Sequence, residues 1–146
     1  MRQGYLLIET HPGFPGRVRL LSADRPPPEP METAPGGSLD KPQIRYAALF
    51  NDLNVALMHA HTALRRGLID IDAQLYRANP ARAVAAIDAI DLSHRRVYLD
   101  PELAADPALD AEIGRRRRMR RRIDRIWNGV GIAAILLLII KLLLGF

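Results

Sequence analysis

The chain has 146 residues, no cysteine and a formal net charge of +5 at pH 7. The absence of cysteine excludes disulfides, thiolate catalysis and cysteine-based zinc sites. Residues 1–114 hold 12 Lys and Arg against 15 Asp and Glu, whereas residues 115–146 hold nine basic residues and one acidic residue. The basic character therefore belongs to the C-terminal stretch. The remainder suits one small, mildly acidic domain with a modest core.

Residues 1–24 predict a β-hairpin. Segments 4–10 and 17–22 are short and rich in apolar residues that suit strands, and the HPGFPG sequence between them is a turn signal. Consecutive apolar residues at 5–8 indicate that both faces of the first strand are covered. An isolated hairpin is only marginally stable in water, so we expect it to pack on helices or on a partner chain. No secretory signal peptide is expected, because the apolar stretch is too short.

Residues 25–42 predict a linker. They hold six prolines and two glycines and little that could be buried. Proline removes backbone donors and glycine adds conformational entropy, so this composition favours an extended, mobile connection between the hairpin and the domain that follows.

Residues 43–66 predict the main helix of a helical domain that spans 43–114. Apolar residues recur there at spacings of three and four, which places them on one stripe, and Gly67 is the expected stop signal. The stripe consists of Tyr46, Phe50, Leu53, Leu57, Ala60 and Leu64. A second apolar strip lies on the opposite side and consists of Ala48, Val55 and Met58. A small domain cannot easily bury both sides of a helix, so we expect the second strip to contact a partner protein.

The rest of this domain predicts shorter elements. A short helix capped by Asp70 or Asp72 would end at Arg77. Residues 92–99 look extended and could join the hairpin as a third strand.

Three Asn-Pro or Asp-Pro pairs, at positions 79, 100 and 106, are helix start signals, with the capping side chain placed before a proline at the first helical position. The last is expected to begin a helix that continues through the arginines, with Gly114 as its weak point. The predicted fold class is therefore mainly α with a short N-terminal β-hairpin.

Residues 126–146 predict a transmembrane helix. They contain one charged residue, Lys141, and no proline. A helix of this length extends about 31 Å, the thickness of the hydrocarbon core of a bilayer. The preceding residues 115–125 contain eight arginines, and clustered basic residues beside a span mark its cytoplasmic side. The sequence thus predicts a tail-anchored, single-pass protein of the cell inner membrane, with the N-terminal domain in the cytoplasm.

The arginine run favours contact with anionic lipid headgroups over a specific ligand. Each basic residue near such a surface contributes on the order of 1 kcal/mol, and arginine makes bidentate contacts with phosphate. Nucleic acid could bind a similar cluster, but this run joins the span without a linker and must lie at headgroup depth. The predicted contacts are Arg115, Arg116, Arg117, Arg118, Arg120, Arg121, Arg122 and Arg125.

Four further residues of the C-terminal stretch have predicted roles in the membrane. Trp127 lies where an indole ring meets the cytoplasmic interface, and Lys141 is close enough to the end to reach the far interface. Gly129 and Ala133 form a small-xxx-small pair that favours close contact between two membrane helices.

The sequence offers little support for catalysis or metal binding. His59 and His61 lie two residues apart on a predicted helix, where their side chains diverge and cannot share one ion. His94 has no nucleophile or orienting carboxylate placed with it by spacing. Asp88 and Asp91, one turn apart, are interpreted as a solvated face. We therefore expect no catalytic residue, no metal site and no cofactor.

The sequence-based hypothesis is a non-catalytic accessory subunit or adaptor of a larger membrane protein complex. The alternative is a membrane-tethered regulator that binds nucleic acid or a soluble signalling protein. Arginine outnumbers lysine 19 to 2, which suggests a bacterial origin.

Overall fold

The computed structural model describes residues 2–27 and 41–145. Within them lie the strands β1 (Gly4–Thr10), β2 (Arg17–Ala23), β3 (Gln43–Phe50), β4 (Leu68–Asp70), β5 (Leu75–Arg77) and β6 (His94–Leu99). The helices are α1 (Leu53–Leu64), α2 (Pro80–Asp88), α3 (Pro101–Ala104) and α4 (Pro107–Leu143), and a 3-10 turn follows α1 at Arg65–Gly67. Most of the predicted linker, residues 28–40, lies outside the described residues.

The strands form one antiparallel sheet in the order β4-β5-β2-β1-β3-β6. β1 and β2 are the predicted hairpin, which is confirmed, and β3 pairs with the other side of β1. β1 is therefore a central strand with neighbours on both sides. Leu6 and Ile8 are fully buried on one face, and Leu7, which points to the other face, is 4% exposed. This position accounts for the consecutive apolar residues at 5–8.

The predicted fold class, mainly α with a short hairpin, is wrong. Residues 43–50, assigned by the sequence to the main helix, form β3, and the helix begins only at Leu53. Tyr46 and Phe50 are four residues apart, a spacing that fits both one face of a helix and one face of a strand. Asp52 separates the two elements, because its Oδ1 atom accepts a hydrogen bond from the Val55 N–H at 3.3 Å and caps α1.

A second correction concerns residues 70–77, where a short helix was expected and a hairpin is found. The Asp70 carboxylate accepts hydrogen bonds from the N–H groups of Asp72 and Ala73, at 2.9 and 3.0 Å, and so stabilises a tight turn. Gln74 completes the turn with a φ of 51°. The resulting strands β4 and β5 extend the sheet beyond β2.

The C-terminal elements agree more closely with the sequence. Residues 94–99 are a strand, as expected, but β6 pairs with β3 at the sheet edge and does not join the hairpin. The side chains of Asn79, Asp100 and Asp106 cap α2, α3 and α4 through hydrogen bonds of 2.8 to 2.9 Å from backbone N–H groups. The three helix starts are therefore confirmed.

The core lies between one face of the sheet and the helices. Its sheet side chains come from β1, β2, β3 and β5 and include Leu6, Ile8, Val18, Leu20, Tyr46, Phe50 and Tyr76. The helices contribute mostly small residues from α1 and α2, together with the first turns of α4, namely Ala56, Ala60, Ala83, Val84, Ile87, Leu109 and Ile113. Two layers, one sheet and one set of helices, therefore share a single core.

Candidate membrane anchor and docking surface

The helix α4 belongs both to the folded domain and to the apolar C-terminal segment. It runs for 37 residues, about 55 Å, and Gly114 does not interrupt it. Its first turns bury Leu109 and Ile113 in the core, whereas residues 121–145 are exposed. Among the described residues it is the one helix long and apolar enough to cross a membrane, and none of its apolar window is buried.

The C-terminal end of α2 holds a buried carboxylate, Asp88, which is 4% exposed. Its Oδ1 atom accepts hydrogen bonds from the Tyr46 hydroxyl at 3.0 Å and from Arg96 Nε at 3.2 Å. Its Oδ2 atom accepts a hydrogen bond from Arg117 Nη2 at 3.2 Å. Burial alone would raise the pKa of Asp88, but the contacts with His94, Arg96 and Tyr46 outweigh it and lower this pKa to about 2.

The neighbouring His94 is oriented by two contacts. Its Nδ1 atom donates a hydrogen bond to the Leu92 carbonyl at 2.8 Å, so Nε2 faces Asp88 Oδ1 at 3.7 Å. The ring also stacks on Phe50, with the centroids 4.7 Å apart. The interaction with Asp88 outweighs burial and raises the pKa of His94. A protonated imidazole at this position also complements the negative end of the α2 dipole.

The arginine run divides into three groups. Arg115 and Arg116 form ion pairs with Glu112 on their own helix, at 2.8 and 3.0 Å. Arg117 bonds to Asp88, and Arg120 donates to the Ala89 carbonyl at 3.3 Å. The remaining four arginines of the run, Arg118, Arg121, Arg122 and Arg125, are exposed. Lipid contact stays a prediction, and Arg117 and Arg120 in addition fix the helix to the domain.

Asp88 and the residues that contact its carboxylate form what we call the Asp88 cluster, which consists of Asp88, Tyr46, His94, Arg96 and Arg117. The sequence interpretation missed this cluster because it placed Asp88 on a solvated face. The sequence feature that could have indicated the burial of Asp88 is the unbroken apolar run at 83–87, which is typical of a helix buried on every side. All of these residues are buried, and so is Asp88 at the end of the run. A carboxylate at such a position needs charged or hydrogen-bonding partners, and the sequence alone could not supply their identity.

A groove lies beside the edge strand β4. Exposed apolar side chains line it, with Ile71 67%, Met58 58% and Leu68 43% accessible. The cavity has a volume of about 510 Å³, and its other lining residues are His61, Thr62, Arg65, Gln74 and Tyr76. β4 is the last strand on this side of the sheet, so the outer row of its backbone N–H and C=O groups faces away from β5. An apolar surface and a free strand edge thus lie side by side.

The predicted partner strip of Ala48, Val55 and Met58 does not exist as one surface, because these residues do not share a helix. Ala48 belongs to β3 and is fully buried, whereas Val55 is half-buried on α1. Met58 alone reaches the groove. The other predicted membrane residues, Trp127, Gly129, Ala133 and Lys141, lie on the exposed part of α4, and their roles stay predictions.

The histidines of α1 have separate environments. His59 is half-buried, and His61 forms a hydrogen bond through Nδ1 with the hydroxyl of Tyr76. In the described ranges, no group of three or more His, Cys, Asp or Glu side chains is placed to hold a metal ion.

The fold and these surfaces define a small two-layer α+β domain whose last helix continues into an exposed apolar segment. No family model, curated protein or solved structure matches the chain.

Proposed function

We propose that this protein is a single-pass membrane-anchored accessory subunit or adaptor, which docks on a larger membrane protein complex through the groove beside β4. The observation that carries the proposal is the continuity of α4, because the helix that would enter the membrane begins inside the domain core. The domain would therefore be held close to the membrane with a fixed orientation, as suits a subunit that presents one surface to a neighbour.

The membrane part of the proposal rests on the exposed C-terminal half of α4. Soluble proteins rarely expose a contiguous apolar patch larger than a few hundred Å², and residues 126–144 are exposed throughout. Insertion in a bilayer would remove this surface from water. The arginines lie at the domain end of the span only, so the positive-inside rule favours a domain in the cytoplasm at the inner membrane.

The occupant that best suits the groove is an extended segment of a partner subunit. Such a segment can add a strand to an exposed sheet edge, where main-chain hydrogen bonds give affinity and side-chain pockets give specificity. β4 supplies the edge, and Met58, Leu68 and Ile71 supply an apolar wall for alternate side chains of the added strand. Arg65, which also lines the groove, would help to fix the register by charge.

Co-purification of the full-length protein from mildly solubilised membranes tests this function. A membrane protein should accompany the chain at a fixed stoichiometry, and Ile71→Asp should remove it, because burial of an unpaired charge at an interface costs several kcal/mol. Val97→Asp is the matched control, since Val97 is 37% exposed on the opposite edge strand. Recovery of a soluble protein or of nucleic acid in place of a membrane subunit would favour the regulator.

A further inference from the structure

A second cavity, separate from the groove, is rich in arginine. It has a volume of about 390 Å³ and lies where the end of α1, the start of α2, the loop before β2 and α4 meet. The residues that line it include Arg66, Arg77, Arg82, Arg116 and Asn79. None of its described lining residues is acidic. The cavity is therefore a concentrated site of positive charge in a domain whose first 114 residues carry more acidic than basic groups.

These arginines come from separate parts of the chain. Arg66 lies in the 3-10 turn, Arg77 in β5, Arg82 in α2 and Arg116 in α4. Like charges brought together by the fold repel one another, and because Arg66, Arg77 and Arg82 are exposed, water screens part of this repulsion. Arg77 is also the cross-strand partner of another arginine, Arg17, an arrangement that is destabilising in an antiparallel sheet.

Several arginines elsewhere in the domain differ in that carboxylates accompany them, although Arg17, Arg65 and Arg95 form no ion pair with a described carboxylate either. Arg45 pairs with Asp100 at 3.2 Å and with Glu102 at 3.0 Å, and Arg96 pairs with Asp88 at 3.0 Å. Of the four arginines around the cavity, Arg116 alone forms an ion pair with a carboxylate of the described residues. Glu112 thus neutralises part of the charge, and Arg66, Arg77 and Arg82 give the cavity positive charge that no ion pair with a described carboxylate offsets.

We propose that this cavity binds a phosphate group. Guanidinium groups form bidentate hydrogen bonds with phosphate oxygens, and several of them can surround one tetrahedral anion. The first turn of α2 also places the positive end of a nine-residue helix at the cavity, where it acts through its dipole, because Pro80 has no N–H and Asn79 already accepts the N–H of Ala81. The volume exceeds that of inorganic phosphate and lies in the range of small-molecule sites, so the natural ligand is a phosphorylated compound or a lipid headgroup.

The height of the cavity above the membrane favours a soluble compound. Arg116 precedes Ile126 by ten residues, about 15 Å along α4. The headgroup layer on each side of a bilayer is roughly 6 Å thick. With α4 upright, the cavity lies above the headgroups, whereas Arg122 and Arg125, four residues and one residue before Ile126, lie at the headgroup level.

The test uses the full-length protein in nanodiscs of phosphatidylcholine, which has no net charge, titrated with inorganic phosphate and pyrophosphate by calorimetry at constant ionic strength. We expect saturable binding that Arg82→Gln and Arg66→Gln each weaken about tenfold or more, since each removes a charge-assisted hydrogen bond. Arg118→Gln removes the same charge from an exposed position on α4 and should leave the affinity unchanged. Circular dichroism of each variant confirms that the fold is kept.

A second arm uses nanodiscs that contain phosphatidylglycerol. If the anionic lipid competes with phosphate, and Arg82→Gln abolishes the competition, the same site takes its phosphate from a lipid headgroup. If the lipid does not compete, the ligand is a soluble phosphate compound. The proposal is overturned if neither phosphate nor the anionic lipid binds saturably, or if Arg118→Gln weakens binding as much as Arg82→Gln, because the anion then responds only to overall charge.

Discussion

Arg117 Nη2 lies 3.2 Å from the Oδ2 atom of Asp88 and 3.1 Å from the main-chain oxygen of the same residue. One guanidinium of α4 therefore bonds to the side chain and to the backbone at the C-terminal end of α2. Arg120 adds a bond to Ala89 one turn further along α4. The segment that precedes the exposed apolar part of α4 is thus fixed to the domain, and a rotation of α4 must break these contacts.

The first prediction concerns the Tyr46 hydroxyl. Tyr46→Phe removes a donor to a buried carboxylate and should lower the free energy of unfolding by about 1.5–3 kcal/mol. Protection of the β1 and β3 amides against hydrogen exchange measures the change, because these central amides open only on global unfolding. Tyr5→Phe, in half-buried surroundings on β1, is the control and should have a smaller effect. Equal effects of the two substitutions would show that the Asp88 cluster adds no stability.

The second prediction concerns pH. The pKa of His94 is raised above 6.5, so its contribution to stability is complete below pH 6.5 and is lost as the pH rises through the raised value. The pKa of Asp88 is lowered from 3.8 to about 2, so its contribution is complete above pH 3.8 and is lost as the pH falls through 2. The cluster is therefore most stabilising between these two limits.

His94→Gln isolates the first of these effects. The difference in unfolding free energy between the unsubstituted chain and this variant should be larger at about pH 5.5 than at about pH 9. A difference that does not change with pH would mean that the charge of His94 has no part in the cluster.

The third prediction concerns the attachment of α4. The chain has no cysteine, so two introduced cysteines, Ser22→Cys and Met119→Cys, are the only sites that a thiol-reactive spin label modifies. Both positions are exposed. The distance distribution between them should be narrow and should broaden when Arg117 and Arg120 are both replaced by Gln. The control variant, in which Arg118 and Arg122 are both replaced by Gln, loses the same charge, and its distance distribution should stay narrow. If neither pair of substitutions broadens the distance distribution, the arginine contacts do not hold α4 in place, and the burial of Leu109 and Ile113 alone would fix its orientation.

The success of the sequence predictions follows from the range of the interactions. The hairpin and the helix starts depend on nearby residues, such as Asn79 with Ala81, and could be predicted. The error at 43–50 arose because residues four apart share a face in both helix and strand. Residues 43–50 form a strand because β3 pairs with β1, and these two strands are far apart in the sequence. The Asp88 cluster likewise joins residues from four elements, and because the sequence interpretation placed Asp88 on a solvated face, neither its burial nor its partners were predicted.

The fourth prediction concerns sidedness. If the domain has the proposed cytoplasmic orientation, which the positive-inside rule favours for the eight arginines, a single cysteine at Ser22 should react with a membrane-impermeant maleimide only after spheroplasts are permeabilised. Leu144→Cys, at the opposite end of the exposed part of α4, should react before permeabilisation. The reverse pattern would place the domain outside the cell and would contradict the proposed orientation.

Photo-cross-linking in intact membranes tests docking beside β4 most directly. A photoreactive amino acid is placed at position 71 in the full-length chain, and position 97 on the opposite sheet edge serves as the matched control. Ile71 is 67% exposed and lines the groove, so a docked strand must lie within reach of it. We predict a discrete adduct with one membrane protein from position 71 and a far weaker one from position 97. No discrete adduct from position 71, or the same adduct from both positions, would contradict docking at this edge.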